Sequence, residues 1–192
     1  MKIDIKLELK TWTIYFVTII LSVYAHELGH CAYAWFHGYK AIPTPAKSYI
    51  IDDFPQNLNQ NFSLSGILGS LLFVFAAFLF YYFRNNKISS TILAAAIVAP
   101  GIYTIRFILK GRGHDATEFQ EAQAALGFNY GGHSLDWLFL LLFLLGVIMW
   151  IIKSQPTFKI LGRLIFGAVL TFIFFIALQD INNMVFDPMF SS

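Results

Sequence analysis

Long apolar runs separated by short polar segments dominate the pattern of this chain. A helix needs roughly 20 apolar residues to cross the ~30 Å hydrocarbon layer of a membrane. The pattern predicts five such spans, at residues 11–36, 62–83, 91–109, 134–152 and 160–178. We therefore expect an all-α integral membrane protein, a multi-pass bundle of about five transmembrane helices in a single membrane domain over residues 1–192.

The polar segments predict the remaining elements. Residues 38–61 hold three prolines, which indicates a short extramembrane loop or hairpin after helix 1, with a strand possible within 47–54. Residues 1–10 alternate apolar and charged side chains, which favours a half-buried strand on the membrane surface. Pro100-Gly101 predicts a kink or local unwinding in the third span, and residues 114–122 predict a polar helix ending near Gly127 at the interface or lining a polar cavity.

Composition supports the membrane class and excludes others. Hydrophobic residues make up 57% of the 192 residues and charged residues only 12%, far from the balance of soluble domains. The lipid bilayer is thus an expected partner. A net charge of +2 is too small and scattered to indicate nucleic acid, and the single cysteine excludes an internal disulfide. The sequence carries no indication of oligomeric state.

The motif that carries chemistry is His26-Glu27-Leu28-Gly29-His30, near the end of the first apolar run. Histidines four apart lie on one face of a helix and can bind one metal ion, and a glutamate after the first can reach water on that ion. Catalytic zinc keeps three protein ligands and an open position. The motif therefore predicts Zn²⁺ as cofactor, His26 and His30 as ligands, and Glu27 as general base.

The position of the motif strengthens this interpretation. A charged residue in mid-membrane costs on the order of 2.5–3.5 kcal/mol, and such residues mark functional sites. The structural alternative is that both histidines are hydrogen-bonded core residues and that Glu27 is protonated or paired. A bound cation explains all three costly residues together.

The third ligand is expected just after the third span, because spans 1, 2 and 3 run up, down and up and return the chain to the side of His30. Asp115 is the first candidate, although it also suits the capping of the following helix. His114 is a second candidate and could instead act through a hydrogen bond to a ligand. Glu118 and His133 remain open, with a surface position as their default.

In these residues the chain resembles the site-2 protease family of intramembrane zinc metalloproteases. The resemblance rests on the motif of helix 1, the possible strand in the following loop, the small-residue helix start at Ser65-Gly66 and the aspartate after the third span. It implies a metalloprotease-like core over 11–126, with two additional transmembrane helices over 134–179. It also implies His26, His30 and Asp115 on zinc, with Glu27 as base.

We therefore expect a zinc metalloendopeptidase that cleaves membrane-protein substrates in or near their membrane-spanning segments. One alternative is a membrane zinc hydrolase that acts on a lipid or small amphiphile, since it needs the same ion and base. The other is a non-catalytic metal-binding membrane protein, either a carrier or a chaperone for helices.

Overall fold

Helices make up most of the protein. The computed structural model describes residues 5–111, 116–127, 133–155 and 158–190. In chain order the helices are α1 (Ile5–Phe36), α2 (Asn59–Arg84), α3 (Lys87–Ala96), α4 (Val98–Lys110), α5 (Ala116–Ala125), α6 (Ser134–Ser154), α7 (Phe158–Val185) and α8 (Asp187–Phe190), with a 3₁₀ turn at Gln56–Leu58 before α2.

Four of the described helices are long and apolar enough to cross a membrane. The candidate spans are Glu8–Phe36, Gln56–Arg84, Ser134–Lys153 and Ile165–Val185. They correspond to the first, second, fourth and fifth of the predicted runs. This part of the sequence prediction is confirmed at the level of helix type, length and composition.

The predicted third span is instead two shorter helices, α3 and α4, which meet at Ile97. Pro100 lacks an N–H, and its ring would clash with the carbonyl of Ala96 in a continuous helix. The break places Pro100 in the first turn of α4, where N–H groups have no partner within the helix anyway. The pieces have 10 and 13 residues, about 15 and 20 Å long, so neither meets the length of a span.

The predicted N-terminal strand is wrong for the residues that the structure describes. Ile5–Lys10 are helical and form the start of α1. Leu, Lys and Glu are good helix formers, and adding residues to an existing helix requires no new nucleus. Residues 1–4 of that prediction lie outside the described part of the chain.

The segment after α1 is a hairpin, as predicted. Strands β1 (Ala41–Pro43) and β2 (Ser48–Ile50) pair antiparallel, with Ala41 opposite Ile50. The indole of Trp35 donates to the Ala41 carbonyl at 2.9 Å, which fastens the hairpin to the last turn of α1. The hairpin therefore covers the end of α1 that carries the histidine motif.

Glycines let α1 and α2 approach until their backbones touch. A Cβ on Gly29 would lie 2.2 Å from the carbonyl oxygen of Ser65, and one on Gly69 would lie 2.3 Å from that of Ala25. No larger residue fits at either position without separating the helices. The close packing predicted from the small residues of α2 is confirmed, and it brings α2 against the face of α1 that holds the motif.

Candidate metal centre

His26 and His30 lie one turn apart on α1, and both are buried. Their spacing places the two imidazoles on the same face of the helix. The two Nε2 atoms are 3.1 Å apart. Both nitrogens thus point at a common position beside the helix, as the motif predicted.

Contacts from α2 fix both rings. Nδ1 of His30 donates to the Phe62 carbonyl oxygen at 2.7 Å, so a neutral His30 presents the lone pair of Nε2 to the site. Nδ1 of His26 lies 3.0 Å from the Ser70 hydroxyl. Hydrogen bonds of this kind orient metal-binding histidines and select the tautomer that binds the ion.

Gly66 provides the space that the His30 ring occupies. A Cβ on Gly66 would lie 2.2 Å from Nε2 and 2.3 Å from Cε1 of His30. On the same helix, the ring of Phe62 stacks on the imidazole with centroids 4.5 Å apart. The start of α2 thus forms a cradle that has the shape of one imidazole.

The third atom comes from Glu118 on α5. Its Oε1 lies 3.2 Å from Nε2 of His26 and 3.1 Å from Nε2 of His30. Burial alone would raise the pKa of the Glu118 carboxyl, but the two facing imidazoles lower it to about 2. Glu118 is therefore an ionised carboxylate at neutral pH, the form that binds metal.

Packing and a hydrogen bond from α2 hold α5 in place. Phe119 and Ala122 are buried in a cluster with Ile67 of α2 and Phe139 of α6. The hydroxyl of Ser63 donates to Glu121 Oε2 at 2.6 Å. These contacts turn the face of α5 that carries Glu118 towards α1.

The three side chains fit a metal ion. The two imidazole nitrogens and the carboxylate oxygen form a triangle with edges of 3.1–3.2 Å. An ion about 2.0 Å from each would subtend angles of roughly 100°, close to tetrahedral, with one position open. Oε1 of Glu118 is buried and faces only the two Nε2 atoms among the described residues, so when both nitrogens carry lone pairs an ion between the three atoms would serve as its partner. The group His26, His30 and Glu118 could therefore hold a metal ion.

Comparison with known proteins adds no relative. No family model, curated protein or solved structure matches this chain. Its function has to be inferred from the chemistry of the site.

Glu27 lies beside the three side chains that could hold a metal ion and is not one of them. It is buried, and the ionisable side chains around it are His26, His30 and Glu118. The side chain of Ser48, at the start of β2, interacts with its carboxylate from the hairpin side. A carboxylate next to the metal position and not bound to it has the placement that a general base requires.

The structure favours a different residue among the four candidates for the third ligand. Asp115 and His114 lie outside the described residues, so their assignments remain predictions. His133 is exposed at the start of α6, where its Nδ1 is 3.2 Å from Asp136, and it does not join the group. Glu118, which the sequence left as a surface residue by default, is the carboxylate that the fold brings to both histidines.

The sequence does contain a signal for Glu118. Along α5, Phe119 and Ala122 form the buried stripe, and Glu118 is four residues before Ala122 on the same side of the helix. A carboxylate within a buried stripe needs a partner. The sequence therefore predicted the location of the third side chain, after the third span and on the side of His30, better than it predicted the residue type.

Proposed function

We propose that this protein is an intramembrane zinc metalloprotease that hydrolyses peptide bonds in or near the membrane-spanning segments of other proteins. One observation carries the proposal. His26, His30 and Glu118 converge on one point, and Glu27 lies beside it within a helix that is apolar enough to span a membrane.

The donor set supports zinc. Many hydrolytic zinc sites have two imidazoles and one carboxylate as ligands and leave a fourth position open. A zinc ion held there supplies Lewis-acid chemistry, since it polarises a carbonyl and makes water more acidic. The chain's own ligands for it would be Nε2 of His26, Nε2 of His30 and Oε1 of Glu118.

Glu27 is the proposed proton carrier. As general base it takes a proton from the attacking water, and it then delivers that proton to the nitrogen of the leaving amine. Its burial beside two histidines holds it next to the position where a scissile bond would be bound. Ser48 orients the carboxylate from β2.

The depth of the site supports a membrane-spanning substrate. His26 is about 21 Å along α1 from Trp12, towards the end of the candidate span that the hairpin covers. We propose that water reaches a site at that depth from the hairpin side and that a peptide reaches it from within the bilayer. We infer that the substrate is a transmembrane segment that enters near its end.

The test is hydrolysis by protein reconstituted into liposomes, in water labelled with a heavy oxygen isotope. Newly formed peptide carboxylates then carry the label, whatever the substrate sequence. The panel contains transmembrane peptides, a lipid amide and free zinc for transport. We expect labelled peptide from the wild type and from the control Asp53→Asn, which changes an exposed carboxylate outside the site. In Glu27→Gln we expect the zinc to remain bound and the rate to fall by at least about a hundredfold.

Three results would overturn the proposal. Cleavage by Glu27→Gln at the wild-type rate would remove the assigned base. Label that appears only in the lipid product would make the protein a lipid hydrolase. Zinc flux without any labelled product would make it a carrier.

A further inference from the structure

A second site lies at the opposite end of the bundle from the metal centre. It is a cavity of about 490 Å³, formed where the start of α1, the end of α2, the start of α3 and the end of α6 come together. Its walls include Glu8, Trp12, Tyr81, Lys87, Trp150 and Lys153. Pockets of this volume hold small ligands or the polar end of a larger one.

The cavity lies at the level where hydrocarbon meets headgroups, given the membrane placement on which the proposed function also rests. Glu8 is the first residue of one candidate span, and Lys153 is the last residue of another. Trp12 and Trp150 are the kind of side chain that concentrates at this depth. Because His26 is about 21 Å further along α1, the cavity is separate from the metal centre.

One side of the cavity is cationic. Lys87 and Lys153 line it, against one carboxylate from Glu8. The ammonium of Lys153 donates to the Tyr82 carbonyl at 3.0 Å and lies 5.1 Å from the centre of the Tyr81 ring, which holds the charge at the cavity edge. The first turn of α3 adds the positive end of its dipole on the same side.

The other side is apolar and aromatic. Trp12, Tyr15 and Ala94 line it beneath the charged edge, with the ring of Trp150. The Trp150 indole donates to the Ser90 hydroxyl at 2.9 Å, so its polar atom is satisfied and the ring contributes an apolar edge to the cavity wall. A cavity with cations at its mouth and aromatic rings behind them matches an amphiphile with an anionic group next to hydrocarbon.

We infer that this cavity binds one phospholipid. The phosphate meets Lys87 and Lys153, and the glycerol and first acyl carbons lie against Trp12 and Trp150. A free phosphate can make the contact with the lysines but not the contact with the tryptophans. Diacylglycerol can make the contact with the tryptophans but not the contact with the lysines.

The experiment measures binding by native mass spectrometry of the full chain in detergent, titrated with three probes. These are dioctanoyl phosphatidylethanolamine, dioctanoylglycerol and inorganic phosphate. We expect one phospholipid per chain, held at least about tenfold more tightly than either other probe. In Lys87→Gln/Lys153→Gln the phospholipid affinity falls at least about tenfold, whereas Lys10→Gln/Arg84→Gln, a loss of the same two charges at exposed positions outside the cavity at the same end, leaves it unchanged.

A second variant keeps the test decisive if the double substitution does not fold. Thr91→Trp fills the cavity and leaves both lysines in place, so it should also abolish the bound phospholipid. Equal affinity for dioctanoylglycerol, equal affinity for inorganic phosphate, or unchanged phospholipid binding in Thr91→Trp would each overturn the inference. None of these results depends on hydrolysis, so failure here is distinguishable from failure of the proposed protease function.

Discussion

Gly66→Ala is the substitution for which the structure gives the sharpest prediction. The new Cβ would lie 2.2 Å from Nε2 of His30, whereas ordinary contact begins at 3.4 Å. The imidazole must therefore retreat by about 1.2 Å. A metal bond of about 2.0 Å does not survive such a displacement. The variant thus removes one ligand without changing any ligand residue.

The expected loss of metal affinity is at least about a hundredfold, the upper end of the cost of removing a hydrogen bond that supports a ligand. Competition with a zinc chelator on detergent-purified protein measures it. The matched control is Gly162→Ala on α7, where a Cβ meets nothing within 4 Å. We expect that control to bind metal normally and to gain up to about 1 kcal/mol, because alanine favours a helix more than glycine does.

A double-mutant cycle separates the clash from a general repacking effect. Forcing a methyl group into the cradle costs about 1–3 kcal/mol while the imidazole is present. In a His30→Ala background the same alanine has room, so most of that cost should disappear. Full metal affinity in Gly66→Ala, or an equal stability loss with and without the imidazole, would refute the assigned position of the ring.

Three further predictions concern the supports of the site. Ser70→Ala removes the partner of Nδ1 of His26 and should weaken metal binding about tenfold to a hundredfold in the chelator assay, with the fold kept; unchanged affinity would show that the hydroxyl orients nothing. Ser63→Ala breaks the 2.6 Å bond to Glu121 and should lower the free energy of unfolding in denaturant by about 1.5–3 kcal/mol, with no change expected if α5 is held by packing alone. Burial, followed by the bond to a neighbouring carboxylate, raises the pKa of Tyr49 to about 12. Because the native state keeps this proton more firmly than the unfolded chain, the stabilisation is complete below about pH 10 and is lost as pH rises through about 12; Tyr49→Phe should lack this loss in thermal unfolding.

Sequence patterns predicted the elements whose cause is local. The start of α2 and the hairpin at 41–50 follow from the apolar run and the prolines around it. The break at Ile97 was indicated by Pro100, and the structure shows two separate helices on its two sides. The start of α3 lies four residues before the predicted one, because Asn86 caps the helix there. The strand predicted from the alternation of apolar and charged residues is wrong at Ile5–Lys10. These residues extend α1, and this extension outweighed the two-residue period that favours a strand.

The candidate site likewise has one part that local sequence predicts and another that only the fold determines. The spacing of His26 and His30 is a property of one helix and could be predicted. The contacts of their Nδ1 atoms come from residues 32 and 44 positions away on α2. The selection of Glu118 depends on the rotation of α5, which packing against α2 and α6 determines. Such contacts require the fold, because sequence spacing alone does not determine them.

The most direct test of the central claim is the metal content of the purified protein by elemental analysis. Four forms are compared: the wild type, Glu118→Ala, Asp53→Ala as a control at an exposed carboxylate, and Asp115→Ala. We predict close to one zinc per chain in the wild type, in Asp53→Ala and in Asp115→Ala, and its loss in Glu118→Ala. Zinc retained in Glu118→Ala and lost in Asp115→Ala would contradict the assigned third ligand, and a folded wild type that binds no zinc when supplied with it would contradict the metal centre itself.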